Sequence, residues 1–136
     1  MTEADALNWL TERIIAGAIE VCRELGPGML ESAYEACLAC ELVERGMAFE
    51  RQKPLPLTYK GRLLDCGYRV DLLVEGSVIV EIKCVERFDR VHFAQVKSYL
   101  KQSGCKVGLL FNFNTTWLVE CGLKRIVNHF PDVRKV

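Results

Sequence analysis

Between Tyr68 and Lys83 the chain reads Tyr-Arg-Val-Asp-Leu-Leu-Val-Glu-Gly-Ser-Val-Ile-Val-Glu-Ile-Lys, two apolar, β-branched arms joined by Glu75-Gly76-Ser77. Such arms favour strands and the connection supplies turn chemistry, so the segment reads as a β-hairpin. Its register follows from the side chains, because a slip of one residue carries a strand's whole apolar set to the other face. A two-residue Glu75-Gly76 loop sets Asp71 opposite Val80 and mixes it with Val78 and Ile82. A three-residue loop, Glu75 to Ser77, sets Asp71 opposite Glu81 and gathers Leu72, Val74, Val78, Val80 and Ile82 on one apolar face. The second register segregates the residues better. It leaves Asp71, Glu81 and Lys83 on the other face, beside Leu73 and Ile79.

Carboxylates directly opposite each other on adjacent strands repel. A hard divalent cation that takes oxygen ligands and keeps several waters, as Mg²⁺ does, turns that repulsion into a binding site. Lys83, on the same face, is then placed to orient or help deprotonate an attacking water, or to stabilise an anionic transition state. The plainer alternative is an exposed sheet face with scattered charges, since a D…ExK pattern arises readily by chance.

The chain's length of 136 residues suits a single domain, 1–136, with a sizeable core. Its 18 Lys and Arg balance 18 Asp and Glu, so no global basic field draws in nucleic acid, and any such binding is local. No run reaches the length of a transmembrane helix and the acidic start is unlike a signal peptide, which points to a cytoplasmic protein without a membrane partner. Seven cysteines, an odd number without framework spacing, read as reduced thiols. Cys37-Leu38-Ala39-Cys40 is a lone CxxC in a helical pattern, better read as small apolar core residues than as half of a zinc site.

Residues 5 to 25 read as a helix with Leu7, Leu10, Ile14, Ala18, Val21 and Leu25 on one stripe, ended by Gly26-Pro27-Gly28. Trp9 reads as a packing residue. A second helix, about Leu30 to Arg45, turns Leu30, Tyr34, Cys37, Leu38 and Leu42 inward and stops at Gly46, so the two helices form a hairpin. Ala48 to Lys53 reads as a strand, and Leu57-Thr58-Tyr59 with Arg62-Leu63-Leu64 as a hairpin that the Asp71/Glu81 hairpin continues as an antiparallel meander. Asp89 caps a helix that runs to Ser103 and stops at Gly104. A buried strand follows at 106–112, then a strand near Trp117 to Cys121, with further pairing near Arg125 to Val127. The order α-α-β-β-β-β-α-β-β predicts an α/β or α+β layer domain with a mixed sheet, in which the strands at Glu81 and at 106–112 run parallel.

The 89–103 helix carries two patterns. Phe93, Val96 and Leu100 face the core, while His92, Gln95, Tyr99 and Gln102 repeat on a second face that is polar but uncharged. Lys97 and Lys101 flank it as phosphate-positioning residues do. Arg87, Arg90, Lys97, Lys101 and Lys106 together suggest a local basic rim.

Gly28-x-x-Glu31-x-x-Tyr34, then Tyr-Arg-Val-Asp71, Glu81-Ile-Lys83 and Gln95-x-x-x-Tyr99, resembles the GxxExxY proteins, grouped with the PD-(D/E)XK nucleases. The likeness covers about residues 10 to 128, and Val70 stands where the superfamily's name places a proline. The resemblance implies a restriction-endonuclease-like core with an N-terminal helical hairpin. It implies metal ligands Asp71 and Glu81, with the Ile82 carbonyl and Glu31, an acid contributed from a helix, as further metal-site residues, a catalytic Lys83, and Gln95 and Tyr99 shaping the site. Read physically, Glu31 also suits the first turn of a helix, where its charge is favoured by roughly 0.3–1 kcal/mol. Gly28 serves the tight backbone between helices, and Tyr34 packs with its hydroxyl on a polar partner.

The expected function is hydrolysis of nucleic-acid phosphodiesters, DNA foremost, with Mg²⁺ or Mn²⁺ as cofactor and a homodimer, or a complex with a partner, as the expected assembly. The alternatives are a non-cleaving nucleic-acid-binding module, or a protein-interaction or assembly domain on the same fold.

Overall fold

The computed structural model describes residues 1–131, so residues 132–136 of the expected 1–136 domain lie outside the described residues. Helix α1 spans Glu3–Leu25 and α2 spans Glu31–Glu44. A capping box starts α1: the Thr2 hydroxyl accepts the Asp5 N–H and the Asp5 carboxylate accepts the Thr2 N–H, satisfying donors that a first turn leaves unpaired. The predicted stripe of α1 is buried from Leu7 to Val21, and Leu25 packs against it half-buried. In α2, Tyr34, Leu38 and Leu42 are buried.

Three side chains in this helical pair depart from expectation. Leu30 is not in the helix but is its extended N-cap, so it leaves the inward stripe and is 76% exposed. Trp9 lies on the outer side of α1, half exposed, with the Arg13 guanidinium 4.7 Å from its ring centre. Cys37 packs against the core, but the helix carries Cys40 to its exposed side; all seven cysteines are free.

The strands are β1 (Phe49–Pro54), β2 (Leu57–Tyr59), β3 (Arg62–Leu64), β4 (Arg69–Val74) and β5 (Val78–Lys83), followed by α3 (Arg90–Ser103), β6 (Val107–Asn112), α4 (Leu118–Cys121) and β7 (Leu123–Val127). Five strands, not four, precede α3. A mixed sheet runs in the order β1-β4-β5-β6-β7, while β2 and β3 form a separate two-stranded ribbon. The expected meander is therefore broken: β1 pairs directly with β4, and the ribbon between them is an excursion. The segment expected as a strand near Trp117 to Cys121 is the short helix α4, closed by Cys121 N–H on Trp117 O and Gly122 N–H on Leu118 O. Its alternating apolar residues mislead, since only Leu118 is buried while Trp117 and Val119 are exposed. The last strand is β7, which includes the pairing expected at Arg125 to Val127.

The α3 crossover makes β5 and β6 parallel, with Lys83 opposite Asn112. Asp89 caps α3 with His92 in a reciprocal box, and Gly104 ends it in the left-handed conformation. Gly108 lets α3 approach β6, because a β-carbon there would stand 2.8 Å from Val96.

The sheet separates two cores. On one face α1 and α2 cover Leu72, Val74, Val78, Val80, Ile82, Leu109 and Phe111; on the other, α3 covers a smaller cluster of Val70, Ile79, Val96, Tyr99, Leu100 and Leu110. Among the described residues no helix is long and apolar enough to cross a membrane.

Candidate active site

The β4–β5 turn sets the register. Glu75 and Gly76 both take positive φ, 52° and 62°, and Ser77 N–H closes the turn on Val74 O at 2.9 Å. Val74 nevertheless pairs with Val78, so Ser77 is an extra residue and the register is that of the three-residue loop. Pairing runs through Leu72 and Val80, and continuing it brings Asp71 opposite Glu81.

At that point the ladder gives way to side chains. The Glu81 carboxylate accepts the Asp71 N–H at 3.2 Å, and the Asp71 carboxylate accepts the Ile82 N–H at 2.8 Å. Each acid thus reaches across to the other strand's backbone, meeting donors that would otherwise be unpaired. Alternation along β4 also breaks here, since Leu72 and Val74 join the α1–α2 core whereas Val70 joins the α3 core. Asp71 occupies the crossover, edge-on between the strands. Glu81 stays on the α3 face and is only 3% exposed. Ile82 directs its N–H at Asp71, and because both main-chain groups of a strand residue point the same way, its carbonyl also faces β4.

Burial, and then the Asp71 charge beside it, pushes the Glu81 carboxyl up to about 8. Burial and the Glu81 charge likewise raise the Tyr99 hydroxyl, which stays protonated. The Lys83 charge opposes the rise at Glu81 only in part, so of two acids this close one is held back from ionising.

The other expected residues converge on the same end of β5. Lys83 lines a groove of about 530 Å³ together with Gln95 and Tyr99 of α3. Gln95 Nε2 donates to the Tyr99 hydroxyl at 3.0 Å. Glu31 Oε2 accepts the Cys84 N–H at 3.1 Å, fastening the chain just past Lys83, and its charge adds to the burial that raises the Cys84 thiol. The Glu31 helix start is held by Tyr34, stacked on Phe113 at 4.7 Å, whose hydroxyl donates to Gly26 O and accepts the Met29 N–H. Gly28 lies in that turn at φ 110°.

A family model described as the PD-(D/E)XK nuclease superfamily matches residues 8–126. The chain belongs to that superfamily. Comparison with curated proteins and with solved structures finds no match. The PD-(D/E)XK superfamily is typically metal-dependent, and the donor chemistry of this PD-(D/E)XK chain suits a hard cation: two carboxylates and a strand carbonyl, all oxygen, with the remaining positions left to water as Mg²⁺ prefers. Glu31 does not join them. Among the described residues no three His, Cys, Asp or Glu side chains cluster closely enough to hold a metal ion, because Glu31 is drawn to the Cys84 N–H beyond Lys83.

Sequence reasoning missed the residues that hold Asp71 from behind. Gln52 stands in mid-β1 with φ 50°, and it and Asp71 are left out of the otherwise paired β1–β4 ladder. Its amide donates to Glu35 Oε1 at 2.6 Å and to Asp71 Oδ1 at 3.1 Å. Glu35 is buried in α2 and paired with Arg51 at 3.0 Å. A charged residue on the inner side of a helix otherwise rich in apolar residues was the available signal. Asn112 was also missed. It is buried and accepts the Val85 and Asn114 N–H groups while donating to Val85 O, which fixes the chain leaving β5.

The basic rim is smaller than expected. Lys106 precedes β6, at the opposite end of the sheet from Lys83, and pairs with Glu3. Lys97 is turned to Val127 O on β7. Arg87 and Arg90 remain near the Lys83 end, joined by Arg69 at the start of β4.

Proposed function

We propose that this chain is a metal-dependent nuclease of the GxxExxY type that hydrolyses phosphodiester bonds in DNA. The observation that carries the reading is the meeting of Asp71 and Glu81 where β4 and β5 part, with Lys83 two residues farther along. Asp71, Glu81 and the Ile82 carbonyl are the residues that would hold Mg²⁺ or Mn²⁺. Such a cation supplies neutralisation of phosphate charge and an acidified water.

The chain's own residues supply the rest. Lys83 projects into the groove and is placed to align the attacking water and to offset negative charge growing on the phosphoryl oxygens. Glu31 and Asn112 keep the backbone on either side of that lysine in place. Tyr99, packed beside Glu81 and bonded to Gln95, closes the wall behind it. Arg69, Arg87 and Arg90, exposed near the Lys83 end of β5, offer cations for phosphate docking.

The test is incubation of the purified chain with single-stranded, duplex and branched DNA and with RNA, in Mg²⁺, Mn²⁺ or chelator, beside Lys83→Ala. Metal-dependent cleavage of DNA that Lys83→Ala lacks is the expected result. A non-cleaving nucleic-acid-binding module is the second reading, favoured by the absence of a third clustered carboxylate among the described residues. Salt-sensitive binding without cleavage in any metal would establish it in place of the first.

A further inference from the structure

The groove beside Lys83 is more than a passage for a phosphate. At about 530 Å³ it falls within the roughly 300–1,000 Å³ of sites that enclose a small organic group. Its lining is mainly apolar, with Leu55 and Leu57 from the segment between β1 and β3 and Tyr99 from α3. Tyr68 lines the groove with its ring half exposed, in a T-shaped contact with the buried Tyr99, ring centres 6.2 Å apart, which makes it the tyrosine of the groove open to a stacking partner.

The polar groups at the rim are neutral and only partly used. Gln102 accepts the Thr58 N–H at 3.2 Å, which ties the β2–β3 ribbon to α3 and leaves its NH₂ to donate. Gln95 donates to Tyr99, leaving its carbonyl oxygen to accept. His92 Nδ1 accepts the Asp89 N–H at 2.9 Å, which places the ring proton on Nε2, as a donor. Lys83 is the lining's single charged side chain. A site for phosphate alone would gather several cations, and a site for a charged peptide would carry matching charges. An apolar groove with an exposed tyrosine ring, edged by neutral donors and an acceptor, matches a nucleobase.

We propose that this groove receives one unpaired base of the strand being cleaved and so brings the adjoining phosphate to Lys83. The proposal rests on the nuclease reading and narrows its substrate to single strands, flaps and frayed ends, since a base within an intact duplex is stacked and paired and must be extruded to enter.

The experiment measures binding of the full chain in chelator to three probes of equal length, with deoxynucleoside monophosphates as competitor. The probes are a single-stranded oligodeoxynucleotide, an abasic strand of the same charge and a closed hairpin duplex. The single strand is expected to bind at least tenfold more tightly than the abasic strand or the duplex. Tyr68→Ala should weaken its binding about ten- to a hundredfold, Tyr68→Phe should retain it, and 2-aminopurine placed in the strand should change fluorescence on binding only when the stacking ring is present. Equal binding of all strands, indifference to Tyr68→Ala, or mononucleotides binding as tightly as the strand would each overturn the proposal. Cleavage is scored in parallel to separate the two readings. Metal-dependent cleavage lost in Lys83→Ala but insensitive to Tyr68→Ala overturns the groove alone. Tyr68-dependent binding without cleavage keeps the groove and overturns the nuclease.

Discussion

The two faces of the sheet are built from one set of strands and yet differ in kind. Toward α1 and α2 the strands present an unbroken apolar surface, closed by Tyr34, Phe111 and Phe113, all fully buried. Toward α3 the apolar cluster is small, and past Tyr99 it opens into a groove that Lys83 lines, one residue beyond Ile82 and two beyond the buried Glu81. Close packing stabilises the first face and leaves it nothing to bind with. The second gives up some of that stability to hold a buried acid and an open cleft, which is where a fold keeps its chemistry.

The sharpest way to break this contrast is to cut one side chain on each face. Lys83→Ala should lower nuclease turnover about 10²- to 10⁴-fold, the range of a lost proton-transfer or charge-stabilising group, while changing stability by no more than about 0.5 kcal/mol. Steady-state cleavage and urea denaturation measure the two effects. Leu109→Ala, at a fully buried position of the packed face, should instead cost about 2–5 kcal/mol of stability through the cavity it leaves. Turnover per folded molecule should stay near that of the unaltered chain. A Leu109 variant that folds normally but fails to cleave would place catalysis on the wrong face.

Much of this division could be read from the sequence, for a physical reason. Side chains alternate along β5 and along β4 from Leu72 onward, so the one register that gathered Leu72, Val74, Val78, Val80 and Ile82 also brought Asp71 opposite Glu81, although the break in alternation at Asp71 was not legible. The two faces of α3 followed in the same way from helical spacing, and His92, Gln95, Tyr99 and Gln102 do line one groove. Features fixed by distant contacts were not readable. Gln52 lies in an unremarkable polar run, and its positive φ arises from bridging Glu35 and Asp71. Trp117 to Cys121 alternates like a strand, but Gly122, where a β-carbon would sit 2.3 Å from Asn112 O, draws the chain tightly against β6 and favours a helical turn. Lys106 and Lys97 counted as cations near the site in sequence, whereas the crossover carries one to the far end of the sheet and β7 draws in the other.

The acid on the second face should also make its cost visible in pH. Glu81 titrates at about 8 when folded and near 4.5 when not, so between those values the folded chain holds a proton that the unfolded chain has released. Stability of the metal-free protein therefore falls as pH rises from about 4.5 to 8, by an amount on the order of a few kcal/mol, and carries no such penalty below that window. Glu81→Gln should flatten the slope in melting experiments across that range. A smaller effect is expected at Gln52. Gln52→Ala should cost about 1–2 kcal/mol by removing donors to two carboxylates, and Gln52→Gly should cost less, because glycine accepts the positive φ without strain.

Everything proposed for the open face turns on whether Asp71 and Glu81 form a cation site, and a melting temperature measured with and without Mg²⁺ or Mn²⁺ at neutral pH tests that directly. The cation binds the folded pair and relieves its repulsion, so it should raise the melting temperature in a concentration-dependent way. Glu81→Ala should abolish the rise and Lys83→Ala should keep it, because the lysine is not a ligand. A melting temperature indifferent to both metals, or a rise that survives in Glu81→Ala, would contradict the account.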